Sequence, residues 1–123
     1  EAFYGTRRFE DFMDRVVMSS ATAASNLKAL TGAGLLERRP YREEGERSRQ
    51  EYILTDAGND LMPVIIGLFE WGIKHGRIRT RIETVHAGCG EPAGVQVRCR
   101  AGHPLSSEDL ELRLRSTYPE EPR

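Results

Sequence analysis

The chain has little of what would settle its class at once. Its 123 residues include two cysteines, three histidines and one tryptophan. Two thiols are too few for a disulfide scaffold, so the logic of small secreted proteins does not apply. No apolar run approaches the ~20 residues that a membrane-spanning helix needs, and no signal peptide opens the chain, so a cytoplasmic protein without a membrane partner is expected. Charge of one sign is missing too, since 18 Lys and Arg face 19 Asp and Glu for a net −1. Holding nucleic acid by bulk charge is thereby excluded, whereas reading it with a locally arranged basic surface is not. G-x-S-x-G, a glycine-rich phosphate cradle and H-E-x-x-H are all absent, and the histidines have no acidic partners in register. No enzyme is expected.

What is present suits one domain with a modest core: 38% hydrophobic and 30% charged residues, with a mean hydropathy of −0.54. Neither half of the chain is polarised in charge. Ala2-Phe3-Tyr4-Gly5 reads as the end of a helix. Phe9, Phe12, Met13 and Val16 recur at i, i+3, i+4 and i+7, one face of an amphipathic helix, which Val17-Met18 interrupts. A second helix is expected from Ser20 to Thr31, capped by Ser19 or Ser20, with Ala23, Leu27 and Leu30 as its apolar stripe. Two strands follow, Leu35 to Arg39 closed or edged by Pro40 and Glu51 to Thr55, with a charged hairpin tip from Arg42 to Gln50 between them. Thr55 caps a long apolar helix from Asp56 to His75, in which Pro63 predicts a kink or a broken first turn.

Helix, turn, helix and a two-stranded hairpin is the layout of a winged helix-turn-helix: an α+β fold in which the second helix enters the major groove of double-stranded DNA. The second helix sharpens this. From Val16 through Leu36 there is no carboxylate. A helix facing rows of phosphates cannot present Asp or Glu without like-charge repulsion. Opposite the apolar stripe stand Ala21, Ser25 and Lys28, flanked by Thr22. Small side chains allow close approach to base edges, Ser and Thr can donate or accept there, and Ser20 with the free N–H groups of the first turn can take a phosphate. Arg47 and Arg49 end the hairpin tip and are the candidates for phosphate or minor-groove contact; the alternative is a self-neutralised loop, because Glu43, Glu44 and Glu46 sit among the arginines. Taken alone, the small-residue helix is equally well a helix packed against its neighbour.

Several spaced segments together resemble the HxlR-type winged-helix transcriptional regulators, within the wider MarR-like group. These are Arg7-Arg8-Phe9-Glu10-Asp11-Phe12, Ser19 leading into Asn26-Leu27-Lys28-Ala29-Leu30, and Gly34-Leu35-Leu36-Glu37-Arg38-Arg39-Pro40-Tyr41. Tyr52-Ile53-Leu54-Thr55-Asp56-Ala57-Gly58 and Glu70-Trp71-Gly72 continue the match, over residues 1–76. The resemblance implies a homodimer on an inverted-repeat operator, with a small-molecule or redox effector. It also implies a further helix ahead of Ala2, often bearing a sensing cysteine, so an upstream segment is expected. Ser20 and Asn26 stand where arginine is frequent in the family; both are placed in the expected DNA-binding set.

Leu61, Ile65, Leu68 and Gly72 form one stripe of the long helix, and Met62, Ile66, Phe69 and Ile73 an adjoining one. One stripe covers a small core; the second needs a partner, so Leu61, Ile65, Leu68, Phe69, Gly72 and Ile73 are the expected dimer contacts. Residues 77–115 are expected to form an appended β-hairpin, with strands at Ile82 to His86 and Val95 to Cys99, and 116–123 a disordered tail. His86-x2-Cys89 and Cys99-x3-His103 make a Cys2His2 set, but neither pair is C-x2-C, and Gly102 stands where a second cysteine would be. Packed cysteines without a cofactor are expected; zinc and a redox thiol are the alternatives. A winged helix that binds protein through Lys74, Arg77, Arg79 and Arg81 or through the appended hairpin is the competing reading of the whole chain.

Overall fold

A computed structural model describes residues 1–117 and Pro119; most of the tail expected to be disordered lies outside these described residues. A single 3-10 turn at Ala2–Tyr4 ends at Gly5, whose φ of 88° is a left-handed conformation that glycine adopts without cost. Helix α1, Phe9–Val16, buries Phe12 and closes at Val17, which holds the left-handed region at φ 53°. Ser19 then caps α2, Ser20–Gly32, by accepting from the Thr22 N–H at 3.2 Å. Two helices joined by Val17-Met18-Ser19 form the helix-turn-helix unit.

Strands β1, Leu36–Tyr41, and β2, Arg49–Leu54, pair antiparallel in register from Leu36↔Leu54 to Tyr41↔Arg49. Pro40 was expected to close or edge the first strand; it lies inside this edge strand, opposite Gln50. A two-stranded sheet has a free edge on each strand, so a residue with no N–H is tolerated there. The Tyr52 N–H donates to the Arg7 carbonyl at 2.8 Å, tying the entry of α1 to this wing. Phe12, Leu27 and Leu36 form the core where α1, α2 and β1 meet, with Phe9, Tyr52 and Leu54 packed on it. The result is the α+β winged helix expected.

The long helix is divided. Thr55 caps α3, Asp56–Asn59, and α4 starts at Met62 and runs to Lys74, with Pro63 in its first turn. Proline lacks the N–H that would continue the ladder back to α3, and its first-turn position makes that loss harmless to α4. Gly58 is fixed by packing: a Cβ there would stand 2.1 Å from the Leu35 carbonyl oxygen.

Beyond α4 the expected hairpin does not form. Among the described residues of 77–117 there is no strand, only the isolated bridges Val85↔Pro92 and Arg98↔Pro104. Each expected strand turns back on itself instead of pairing with the other. A proline stands on one side of each bridge and cannot donate the next ladder bond, so both ladders stop after one step. The segment lies back along α4: Val95 packs beside Gly67, its N–H donates to Glu70 Oε2 at 2.9 Å, and Ile78 sits over Gly72.

Candidate nucleic-acid interface

Helix α2 divides by burial as its sequence divides by polarity. Ala23 and Leu27 are buried, while Ser20, Ala21, Thr22, Ser25 and Lys28 are exposed together. The cap fixes the start of that face: the Ser19 and Thr22 hydroxyls are 2.9 Å apart, so both are already oriented at the N-terminus. Asn26 is also exposed but turns toward another feature. It lines an apolar cavity of about 330 Å³ together with Phe12, Val16, Leu27, Leu30 and Leu54. Asn26 is therefore at the flank of α2 and not on the face opposite the core.

The wing presents a mixture. Glu43 pairs with Arg8, whose side chain comes from the linker before α1 and lies over the Tyr41 ring, 4.8 Å from its centroid. The hydrogen bond from Arg8 to Glu43 holds the guanidinium further above its ordinary value. Glu46 pairs with Arg49 at 3.3 Å, and its carbonyl accepts from Arg42 Nε at 3.1 Å. Gly45, at φ 81°, supplies the left-handed turn of the tip. Arg47 and Lys28 make no ion pair among the described residues. Two of the three wing acids are thus spent within the chain, and Arg47 is left exposed at the tip. Arg8 was not foreseen as a wing buttress; its partner lies 35 positions away, and only the fold brings them together.

Helix α4 is of the opposite kind. Met62, Val64, Ile65, Leu68, Phe69, Trp71 and Ile73 are all exposed. Of the expected dimer contacts, Ile65, Leu68, Phe69 and Ile73 belong to this apolar face, and Leu61 is half-buried at the cavity wall. Gly72 is buried under Ile78 of its own chain, so it does not belong to that face. Trp71 was missed: placing Gly72 on a stripe hid its exposed neighbour, whose ring lies tilted beside that of His75 with the centroids 5.4 Å apart.

The two cysteines are not packed as expected, because Cys89 is exposed and Cys99 half-buried. Each faces a histidine, His86 Nδ1 at 3.1 Å from Cys89 Sγ and His103 Nδ1 at 3.4 Å from Cys99 Sγ. No group of three or more metal-ligating side chains occurs among the described residues. No helix there is long and apolar enough to cross a membrane.

A family model described as HxlR-like helix-turn-helix matches residues 1–79. The chain belongs to the HxlR-like helix-turn-helix family. The matched stretch takes in α1, α2, the wing, α3 and α4, so every element of the candidate interface lies inside the HxlR-like region. Among its relatives, the uncharacterised HTH-type transcriptional regulator Rv3095 of Mycobacterium tuberculosis is 37% identical over 101 residues, covering 80% of this chain and 63% of the relative. BH0655 of Halalkalibacterium halodurans, described in the same terms, is 33% identical over 69 residues, covering 55% of this chain and 59% of the relative. This HxlR-like chain thus spans about six tenths of the length of these curated relatives. Of solved structures, the candidate transcription factor PA1607 is 30% identical with a TM-score of 0.79, over 91% of this chain and 79% of that one. The candidate transcription factor PA1374 of Pseudomonas aeruginosa is 26% identical with a TM-score of 0.72, over 97% and 82%.

Proposed function

We propose that this protein is a sequence-specific, DNA-binding transcriptional regulator that acts in the cytoplasm as a homodimer on an inverted-repeat operator. The observation that carries the reading is the exposed face of α2: Ser20, Ala21, Thr22, Ser25 and Lys28 offer small, hydrogen-bonding and cationic groups, with no carboxylate from Val16 to Leu36. Ser and Thr hydroxyls read base edges, Ala21 permits close approach, and Lys28 with Arg47 of the wing takes phosphates. Arg49 joins them where the phosphate outcompetes Glu46. Asn26 contributes from the flank at most, and Gly72 drops out of the dimer face.

The dimer reading is supported by the surface left open. Met62, Val64, Ile65, Leu68, Phe69, Trp71 and Ile73 stand exposed along α4, an apolar patch of the kind that marks a protein–protein contact. The apolar face of α4 is where a second copy removes such surface from water. A two-fold axis then presents two α2 helices to adjacent major grooves, which doubles the site read and offsets the chain's neutral charge.

The test is an electrophoretic shift with the promoter DNA beside the protein's own gene. A salt-sensitive complex is expected at micromolar protein or below. Lys28→Ala and Arg47→Ala each remove one phosphate contact and lower the slope of log affinity against log salt by about 0.9. A folded protein that gives no shift overturns the reading in favour of a winged helix that binds protein. Two variants that leave the slope unchanged overturn the named surface.

A further inference from the structure

We propose that the cationic strip at the end of α4, Lys74, Arg77, Arg79 and Arg81, is a sequence-independent site for the phosphate backbone of duplex DNA. From Trp71 to Ile82 the chain holds these four cations and no carboxylate. All four side chains are exposed, and none makes an ion pair among the described residues. The wing is arranged in the opposite way. There Arg8 pairs with Glu43, Arg39 with Glu37 and Arg49 with Glu46, so the chain supplies its own counter-charge. In the strip the counter-charge has to come from outside.

The backbone under these side chains is held, while the side chains are free. Gly76, at φ 64°, turns the chain out of α4. The Arg77 and Ile78 N–H groups both donate to the Gly72 carbonyl, at 2.7 and 3.0 Å, and Ile78 seats half-buried over Gly72. The Ile82 N–H donates to Thr80 Oγ1 at 2.9 Å, and beyond it the Thr84 and Tyr4 hydroxyls meet at 3.1 Å. Cations on an anchored backbone lose less freedom on meeting a row of anions than cations on a loose tail would. Lys74 has a second reason to stand where it does, since the last turn of α4 favours a cation through the helix dipole. Arg77, Arg79 and Arg81 lie beyond the helix, where that field has faded.

The choice of DNA as the polyanion rests on the function proposed above. Roughly half to two-thirds of protein–DNA hydrogen bonds go to phosphate and sugar. Helix α2 offers mostly base-reading groups, with Lys28 its one cation, and the wing adds Arg47. Even doubled by a two-fold axis, these fall short of the about 6–10 phosphate contacts of a strongly salt-sensitive complex. The strip makes up the difference. Its guanidinium groups can take phosphate oxygens two at a time, and such contacts carry no sequence information.

The test is fluorescence anisotropy of the full chain across a salt titration, with one duplex of unrelated sequence and one from the promoter beside its own gene. Replacing three arginines together (Arg77→Gln, Arg79→Gln and Arg81→Gln) should lower the slope of log affinity against log salt on both duplexes. The expected fall is about 2.7 per chain, at about 0.9 per phosphate. The matching lysine variant (Arg77→Lys, Arg79→Lys and Arg81→Lys) is expected to keep the slope, because a phosphate also accepts a point charge. Far-UV circular dichroism checks that the winged helix remains folded, and Arg79→Gln alone, with a fall of about 0.9, carries the test if the triple variant unfolds. Three results would each overturn the proposal: glutamine variants with the wild-type slope, a lysine variant as weak as the glutamine one, or poly-glutamate bound as tightly as the unrelated duplex. The last would assign the strip to an acidic protein. Strip-dependent binding without any preference for the promoter would overturn the regulator and leave the strip, whereas promoter binding with an unchanged slope would overturn the strip alone.

Discussion

Helices α2 and α4 are both 13 residues long, yet they meet the rest of the molecule in opposite ways. Helix α2 is complete within its chain: Ala23 and Leu27 are buried, and what remains outside is small, polar or cationic, apart from Leu30 at the cavity mouth. Helix α4 buries Gly72 alone and leaves seven large apolar side chains in the open. Exposed apolar patches of that extent mark a surface meant for another protein, whereas the outer face of α2 is built to exchange hydrogen bonds with something polar. The contrast assigns roles before any partner is named. Under the proposed function, the helix that ends its packing inside the chain is the one that reads DNA, and the one that does not is the one that meets a second copy.

Two glycines break the comparison most sharply. In Gly58→Ala the new methyl meets the Leu35 carbonyl oxygen at 2.1 Å and Leu54 Cδ2 at 2.9 Å. A carbonyl in the backbone at the start of the wing cannot swing aside. The loss should reach or exceed the top of the usual range of about 1–3 kcal/mol for overpacking. In Gly72→Ala the methyl meets the far end of Ile78, at 2.5 Å from Cδ1. That side chain is half-exposed and can rotate, so the cost should stay below about 1 kcal/mol. Urea unfolding of both variants checks the order. Equal losses would mean that α4 is held as rigidly as the body.

The next effect concerns assembly and not folding. Leu68 is 59% exposed on the apolar face of α4, so Leu68→Glu removes little that the single chain buries. It places a charge where a partner's apolar surface is expected, and desolvating an unpaired carboxylate costs several kcal/mol. Sedimentation analysis should show the wild type as a dimer and this variant as a monomer with unchanged helical content. A variant that remains dimeric would move the interface off α4.

How far this division could be read in advance depended on the range of the interaction responsible. The stripe Ala23–Leu27 and the Ser19 and Thr55 caps arise from neighbours a few residues apart, and the wing pairs two strands that follow each other in sequence, so periodicity and turn signals reveal them. The break at Pro63 was legible for the same reason, since a missing N–H acts locally. What escaped was set by distant contacts. Arg8 finds Glu43 across 35 positions, Ile78 covers Gly72, and Glu70 takes the Val95 N–H. The segment after α4 misled because β-forming residues such as Val95 and Val97 alternate as a strand should, while Pro92 and Pro104 halt each ladder. Asn26 joined the expected DNA-binding set through the family resemblance and not through helical spacing, and the cavity shows that it stands at the flank of α2.

The smallest effect probes how α2 is aimed. Val17 closes α1 at φ 53°, the one non-glycine residue with positive φ among those described, and 88% of its side chain is exposed. A β-branched residue in that region carries a steric cost of roughly 1–2 kcal/mol, and nothing packs on the side chain to offset it. Glycine would remove the cost but adds chain entropy to the unfolded state, worth about 0.5–1 kcal/mol. Val17→Gly should therefore stabilise the protein by about 0.5–1 kcal/mol in the same urea titration. The effect on DNA should run the other way. The Val17 conformation sets the angle between α1 and α2, and a glycine hinge lets that angle vary, so the variant should bind its operator with equal or slightly lower affinity despite being more stable. A gain in affinity that tracks the gain in stability would show that α2 is aimed by its core contacts alone, and that the turn between the helices has no part in it.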